Sequence, residues 1–406
     1  MMKSRVPWVL IGGLFVVAVF FCSTGVVKAA GKTEIIIGSN PPLTGILSML
    51  GSERKWTYEQ AVRDINAKGG IFVKSYNKKL PVRLVFEDAE SDPGKASLAV
   101  EKLVKIHKAD LLLSGESTPL ILPSCVAAEK LKTYYHATTC IMEPWEKEHF
   151  KWSTNYFFNS HQAAAVPFKV MDSIPTAERP KNLALILEDS ADGRAMGPVW
   201  KEEGKKASYN FVLEETFPVG TKDFSSTILK MKMKNVDGAI MFAADEAVTI
   251  VRQMKENGVG LKYFHVYKGA LANAYWDALG KDAQYVLADG WWDEGFPYPM
   301  CKELGENYTA HFHKVSKIIG LYYAMAQTLF EAIEKAGTTD SAKVRQAVLA
   351  TQFKNTTMGN VKYSEEGVAY FPQGAFQWIE GRQTLVYPFD LAGGNKVKVA
   401  PAWNQR

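Results

Sequence analysis

Short apolar runs alternate with longer amphipathic stretches along most of this 406-residue chain, and the alternation is laid down twice. From Glu34 onward, "EIIIGS", "PVRLVFED", "ADLLLSG" and "TYYHAT" read as buried strands. Between them, "WTYEQAVRDINAKGG", "KASLAVEKLVKI" and "PLILPSCVAAEKL" space their apolar residues as helices do. Strand–helix alternation implies a parallel sheet covered on both faces. After "YFFNS" (156–160) it restarts with "NLALILED", "FVLEETFPV", "GAIMFAA" and "KYFHVY", separated by helices near 194–208, 224–235, 246–257 and 271–279. The chain therefore holds two α/β units of about equal size, as its length suits. Past Trp291 the pattern turns helical, with "LYYAMAQTLFEAIEKAG" its clearest member, and the tail reads as strands and hairpins around the turn Glu380-Gly381. If that late helical segment packs back on the first unit, both domains are discontinuous and several crossings between them form a hinge.

The first 29 residues carry Lys3, Arg5 and Lys28 and no acid, so they supply three charges of the formal +5. Lys3 and Arg5 precede an apolar run from Val6 to Phe21, and "VVKA" ends in a Val-x-Ala site after Ala29: the pattern of a cleaved secretory signal. The run is short for a membrane anchor. Lipid attachment at Cys22 wants a small residue before it, where Phe21 stands. The remainder, near neutral and without a basic stripe, excludes nucleic acid as the expected partner. Cys125, Cys140 and Cys301 then meet an oxidising compartment as an odd set. They read as buried free thiols, with a Cys125–Cys140 disulfide as the alternative.

Motifs for catalysis are sparse. "GESTP" resembles a nucleophile elbow, but Pro119 stands where the second glycine belongs, which argues against a nucleophilic Ser117. "DPGKAS" lacks the upstream glycine of a phosphate loop and reads as a helix start at Pro93. His311 and His313, two apart, point different ways on a helix and make a poor metal pair. Glu87, Asp88 and Glu90 crowd a strand end where Asp92 caps the next helix. Trp291-Trp292 falls at a crossing between units and serves either packing there or the wall of a cleft. No cofactor, metal or catalytic residue is expected. What recurs is a set of loops at predicted carboxyl ends of strands: "PPLTGILSMLG", "GESTP", "HATTC", "EDSADG", "AADEA" and "YKGAL". Ligands of open α/β sheets bind at that edge. Two such edges facing each other make a polar cleft without a nucleophile, as a binding protein has.

The segments "PLTGILSMLGSERKWTYEQAVRDINAKGGI", "VFEDAESDPGKASLAVEKLV" and "GAFQWIEGRQTLVYP" resemble the branched-chain amino-acid-binding protein family, the extracytoplasmic solute-binding components of ABC importers. The resemblance spans nearly all of the chain after Ala29. It implies a periplasmic protein with the two-lobed type I periplasmic-binding-protein fold. Each lobe is a parallel sheet flanked by helices, and three hinge crossings let the lobes close on a ligand. Residues 33–157 and 291–362 should form the N-terminal lobe, and 158–290 with 363–406 the other. The implied partners are a small-molecule ligand and the permease subunits, with the chain a monomer.

In amino-acid-binding relatives the first lobe grips the ligand carboxylate through loops that correspond to Ser117-Thr118 and Ala137-Thr138-Thr139 here. An aromatic often follows "PLTG"; this chain has Leu50, with Trp56 a candidate substitute. A tyrosine is common where Asp192 stands, and a glutamate for the ligand ammonium where Lys268 stands. A lysine 4 Å from an ammonium costs about 4 kcal/mol at an effective dielectric near 20. Lys268 therefore meets a ligand carboxylate, pairs with a cleft acid (Asp245, Asp192 or Glu116), or is solvated. The expected ligand is a small organic acid, with an aromatic carboxylate among the candidates. The alternatives are an amino acid or amide whose ammonium meets Asp245, and, further off, a sensor lobe or an enzyme.

Overall fold

Apolar strands too short to bury both faces alone must stack edge to edge, and in this computed structural model they do so in two large sheets accompanied by two separate two-stranded hairpins. The structure describes residues 1–2 and 31–405, so the expected signal peptide and Cys22 lie outside the described residues. Thr33–Arg406 form one compact unit. Its first sheet begins with β1 (Ile35–Ser39); the chain then forms a separate antiparallel hairpin of β2 (Ile71–Val73) and β3 (Lys78–Leu80) before returning to that sheet. Next come β4 (Val82–Phe86), β5 (Leu111–Leu113), β6 (Tyr135–Thr138) and β7 (Ser153–Phe158). The second sheet contains β8 (Leu183–Glu188), β9 (Phe211–Phe217), β10 (Gly238–Ala243), β11 (Tyr263–Lys268) and β12 (Leu287–Gly290). Downstream lie the hairpin β13 (Gln352–Thr356) and β14 (Gly359–Lys362), then β15 (Val368–Phe371), β16 (Gly374–Ile379) and β17 (Arg382–Tyr387).

The orders β15-β7-β6-β5-β1-β4 and β17-β16-β12-β11-β10-β8-β9 share one core arrangement. In each, the first strand lies between the second and third, so the connections diverge beside β1 and β8. Such switch points open a crevice at the carboxyl edge of a sheet. All pairs in the first sheet are parallel. The second gains an antiparallel edge, because β16 and β17 form a hairpin against β12.

The late helices do return to the first sheet. Ile319–Ala336, buried along most of its first fifteen residues, packs against the helix Ser48–Ala67 and against β2 and β6. Gly320 is small because a Cβ there would meet Trp292 Cδ1 at 2.0 Å. One boundary needs correction. β15 pairs with β7 and belongs to the first sheet, so the third crossing lies between Phe371 and Gly374 rather than at 362. The three crossings thus follow β7, β12 and β15. Cys125, Cys140 and Cys301 are free, buried thiols; the disulfide alternative is not realised.

Candidate functional site

The loops after β1, β5 and β6 and those after β8, β11 and β12 converge on one cavity of about 50 Å³. The first sheet contributes Leu50, Glu116, Ser117, Thr139 and Ile141; the second contributes Asp192, Phe242, Lys268, Leu271 and Asp289. Phe157, Phe158 and Trp291, at the crossings, supply an aromatic wall with Tyr267 opposite. Phe157 meets Trp291 edge to face at 5.1 Å between ring centroids.

Three of these strand-to-helix connections carry a strained residue. Ser117, Thr139 and Lys268 have φ of 68°, 60° and 72°. Such conformations are uncommon without glycine and cluster at ligand clamps. Neighbouring glycines let the loops approach closely: a Cβ on Gly115 would meet the Asn40 carbonyl oxygen at 2.3 Å, and one on Gly269 that of Ala244 at 2.1 Å.

Ser117 Oγ donates to Asp192 Oδ2 at 3.0 Å, so the two edges touch directly across the cavity. Among the described residues, the other oxygen, Asp192 Oδ1, is buried and has no hydrogen-bond partner, and neither has Trp291 Nε1. Behind Ser117 lies a buried network. Arg54 Nε and Nη2 donate to Glu116 Oε2, Nη1 to Tyr58 and Ser114, and Nη2 also to Thr139 Oγ1. Tyr322 adds a bond to Glu116 Oε2 at 2.7 Å, and its ring lies under the guanidinium at 4.0 Å. Burial opposes the charge on Arg54, but Glu116 more than offsets it and holds the guanidinium firmly protonated.

Lys268 is an internal partner. Its Nζ lies 2.8 Å from Glu188 Oε1 and 3.9 Å from Asp192 Oδ2. Burial lowers its proton affinity, yet Glu188 and then Asp192 raise it further, so it stays charged. Its own N–H donates to Asp289 Oδ1 at 2.9 Å. Burial pushes the Asp289 carboxyl up to about 7. Glu188, which holds the lysine, also accepts from Ser190 Oγ and the Ala244 N–H.

The residues singled out from sequence separate into groups. Leu50, Ser117, Thr139, Asp192 and Lys268 line the cavity. Thr118, Ala137 and Thr138 are buried behind it: Thr118 Oγ1 accepts from the Ile141 N–H, and Thr138 Oγ1 donates to the Tyr156 carbonyl. They shape the loops. Asp245 is exposed and sits in an outer chamber, so it is neither the partner of Lys268 nor part of the inner wall. Trp56 is corrected as well: it packs edge to face on Tyr308 at 5.2 Å and stacks near His311, away from the cavity. Leu50 is not replaced by it; the aromatic surface comes from the crossings.

Sequence reasoning missed Arg54, Glu188 and Asp289. Glu188 stands at the head of the quoted loop "EDSADG", a charged residue ending an apolar strand, which was the available signal. Of the Trp pair, Trp291 walls the cavity while Trp292 is buried and donates to Cys301 Sγ at 3.1 Å. Asp88 pins the loop after β1 through the N–H groups of Leu43 and Thr44, and Asp92 caps the helix Pro93–Lys105.

Two sheets whose carboxyl edges meet over a polar and aromatic cavity define a binding fold. The chain belongs to the periplasmic binding protein family, whose model matches residues 34–381. It is 23% identical to Leu/Ile/Val-binding protein homolog 7 of Brucella abortus, over 91% of this chain and 95% of that protein. It is 25% identical to homolog 3 of Brucella melitensis, over 90% and 97%. In structure it resembles the branched-chain amino-acid transporter substrate-binding protein LivJ of Streptococcus pneumoniae in complex with isoleucine (TM-score 0.75, 18% identity, 86% of this chain and 98% of that one). It also resembles a solute-binding protein of an ABC transporter from Rhodopseudomonas palustris in complex with 3,4-dihydroxybenzoic acid (TM-score 0.73, 17% identity, 87% and 95%). Among the described residues no helix is long and apolar enough to cross a membrane.

Proposed function

We propose that the chain is the extracytoplasmic solute-binding component of an ABC importer, exported by a signal cleaved after Ala29, and that its two lobes close on a small organic solute. It then presents that solute to permease subunits as a monomer and carries out no chemistry on it. The observation that carries this reading is the Ser117–Asp192 contact: loops from two separate sheets meet over an aromatic cavity through one hydrogen bond.

The polar walls favour a solute with a hydrogen-bond donor, such as an ammonium or amide. Arg54 is held by Glu116 and Lys268 by Glu188, so both cations are already engaged. Glu116, Glu188 and Asp192 outnumber them, and Asp289 adds a further charge above about pH 7. Asp192 Oδ1 is an acceptor that finds no donor among the described residues. A buried acceptor left unmade costs about 1–3 kcal/mol, which a ligand donor recovers. The aromatic wall packs against the apolar atoms next to that donor.

A second reading is a small organic acid, aromatic or aliphatic. Its support is that Lys268 lines the cavity and that a structurally similar protein holds 3,4-dihydroxybenzoic acid. The acid must then draw Lys268 away from Glu188. Small-angle scattering tests closure: a saturating solute should shrink the particle, and an unchanged radius would remove the trap mechanism.

A further inference from the structure

Beside the inner cavity lies a second chamber of about 290 Å³, also between the two sheet edges. The two share Leu50 and Lys268 in their walls. Ile46 and Met49 line one side of the outer chamber, and Val248, Ala272 and Ala278 line the other. Ile46 is 59% and Met49 39% exposed, so apolar surface is left bare at the start of the helix Ser48–Ala67.

We infer that the outer chamber is a subsite for an extended apolar tail. The ligand is then an elongated amphipathic solute, with a donor head at Asp192 and a chain running past Leu50. This rests on the proposed solute-binding role and specifies its ligand. Size carries the first part. Small-molecule sites usually enclose about 300–1,000 Å³. The inner cavity, at about 50 Å³, has room for little more than a head group. Joined to the outer chamber it reaches the low end of that range. Chemistry carries the second part. The inner cavity sets the carboxyl groups of Glu116, Asp192 and Asp289 among aromatic and aliphatic side chains, whereas the outer one is walled mainly by aliphatic side chains, with Asp245, Thr249, Tyr275 and the shared Lys268 its polar exceptions. The shared residues match this division: the Leu50 side chain is apolar, and the Lys268 ammonium is turned to Glu188.

Titration calorimetry with two homologous series tests this: linear 2-amino acids from 2-aminobutanoic to 2-aminooctanoic acid, and n-alkylamines of matching length. Affinity should rise about fourfold per added methylene through the longer members. Met49→Glu, at a partly exposed position of the outer chamber, should abolish the length dependence. Short members binding as well as long ones would overturn the tail subsite while leaving the donor-headed reading intact. Absence of binding by every member of both series would overturn that reading and the inference with it.

Discussion

The Lys268 ammonium is held 2.8 Å from the buried carboxylate of Glu188, eighty residues earlier in the chain, at the adjoining ends of β11 and β8. β10 lies between those strands, so the pair spans three strand ends at the cavity edge. Removing one member of a buried pair leaves the other uncompensated. Lys268→Met should therefore lower the unfolding free energy by about 3 kcal/mol, and adding Glu188→Gln should restore part of it. Urea denaturation followed by circular dichroism reads both. Unchanged stability in Lys268→Met would mean that the lysine is solvated.

Arg54 and Glu116 form the corresponding pair in the first sheet's loops, and both are almost wholly buried. Arg54→Met should destabilise by about 3–5 kcal/mol. Because the two share the Tyr322 contact and one another, a double-mutant cycle with Glu116→Gln should show strong non-additivity. Additive effects would break up the network described here.

Four buried groups set opposing pH dependences. Burial pushes Glu53 and Asp289 up to about 7, against about 4 in the unfolded chain. Their stabilising effect is complete below about pH 4 and is lost as pH rises through 7, because the folded state keeps protons that the unfolded state has released. Burial lowers His136 and His265 to about 3, against about 6.5 unfolded. Their effect is present above about pH 6.5 and is lost as pH falls toward 3. Between about pH 4 and 6.5 the two pairs cancel in sign. Asp289→Asn removes one carboxyl, so its stability relative to wild type should rise with pH across about 4 to 7, by up to about 1.4 kcal/mol per unit. Denaturant midpoints at four pH values measure this; a pH-independent difference would contradict the raised Asp289 carboxyl.

Much of this architecture is legible in the sequence, because alternating apolar runs and amphipathic stretches leave few ways to bury both. The loops at the sheet edges follow from that alternation; within them Leu50, Ser117, Thr139, Asp192 and Lys268 are singled out by the resemblance to amino-acid-binding proteins. Contacts between distant segments are not legible. Glu188 and Lys268 meet only because β8 and β11 flank β10. Arg54, within "SERKW", looks like any polar helix residue, and its burial comes from Tyr322 on a helix nearly 270 residues away. Trp56 misled for a geometric reason. It follows Leu50 by six positions, and at about 100° per residue it points to another side of the helix. The third crossing was misplaced because β15 is only four residues long and runs almost directly into β16.

The central claim is that Asp192 and its facing loop hold a donor-bearing solute between the two sheets. A thermal-shift panel of amines, amides, amino acids and aromatic or aliphatic acids, run on wild type and Asp192→Asn, tests it most directly. A ligand that binds only the folded state at 100 times its dissociation constant adds about 2.7 kcal/mol, a readily visible shift. The account predicts that the most stabilising compound carries an ammonium or amide donor, and that Asp192→Asn removes most of its shift. A donor-free carboxylate that stabilises best, with an undiminished shift in Asp192→Asn, would contradict it.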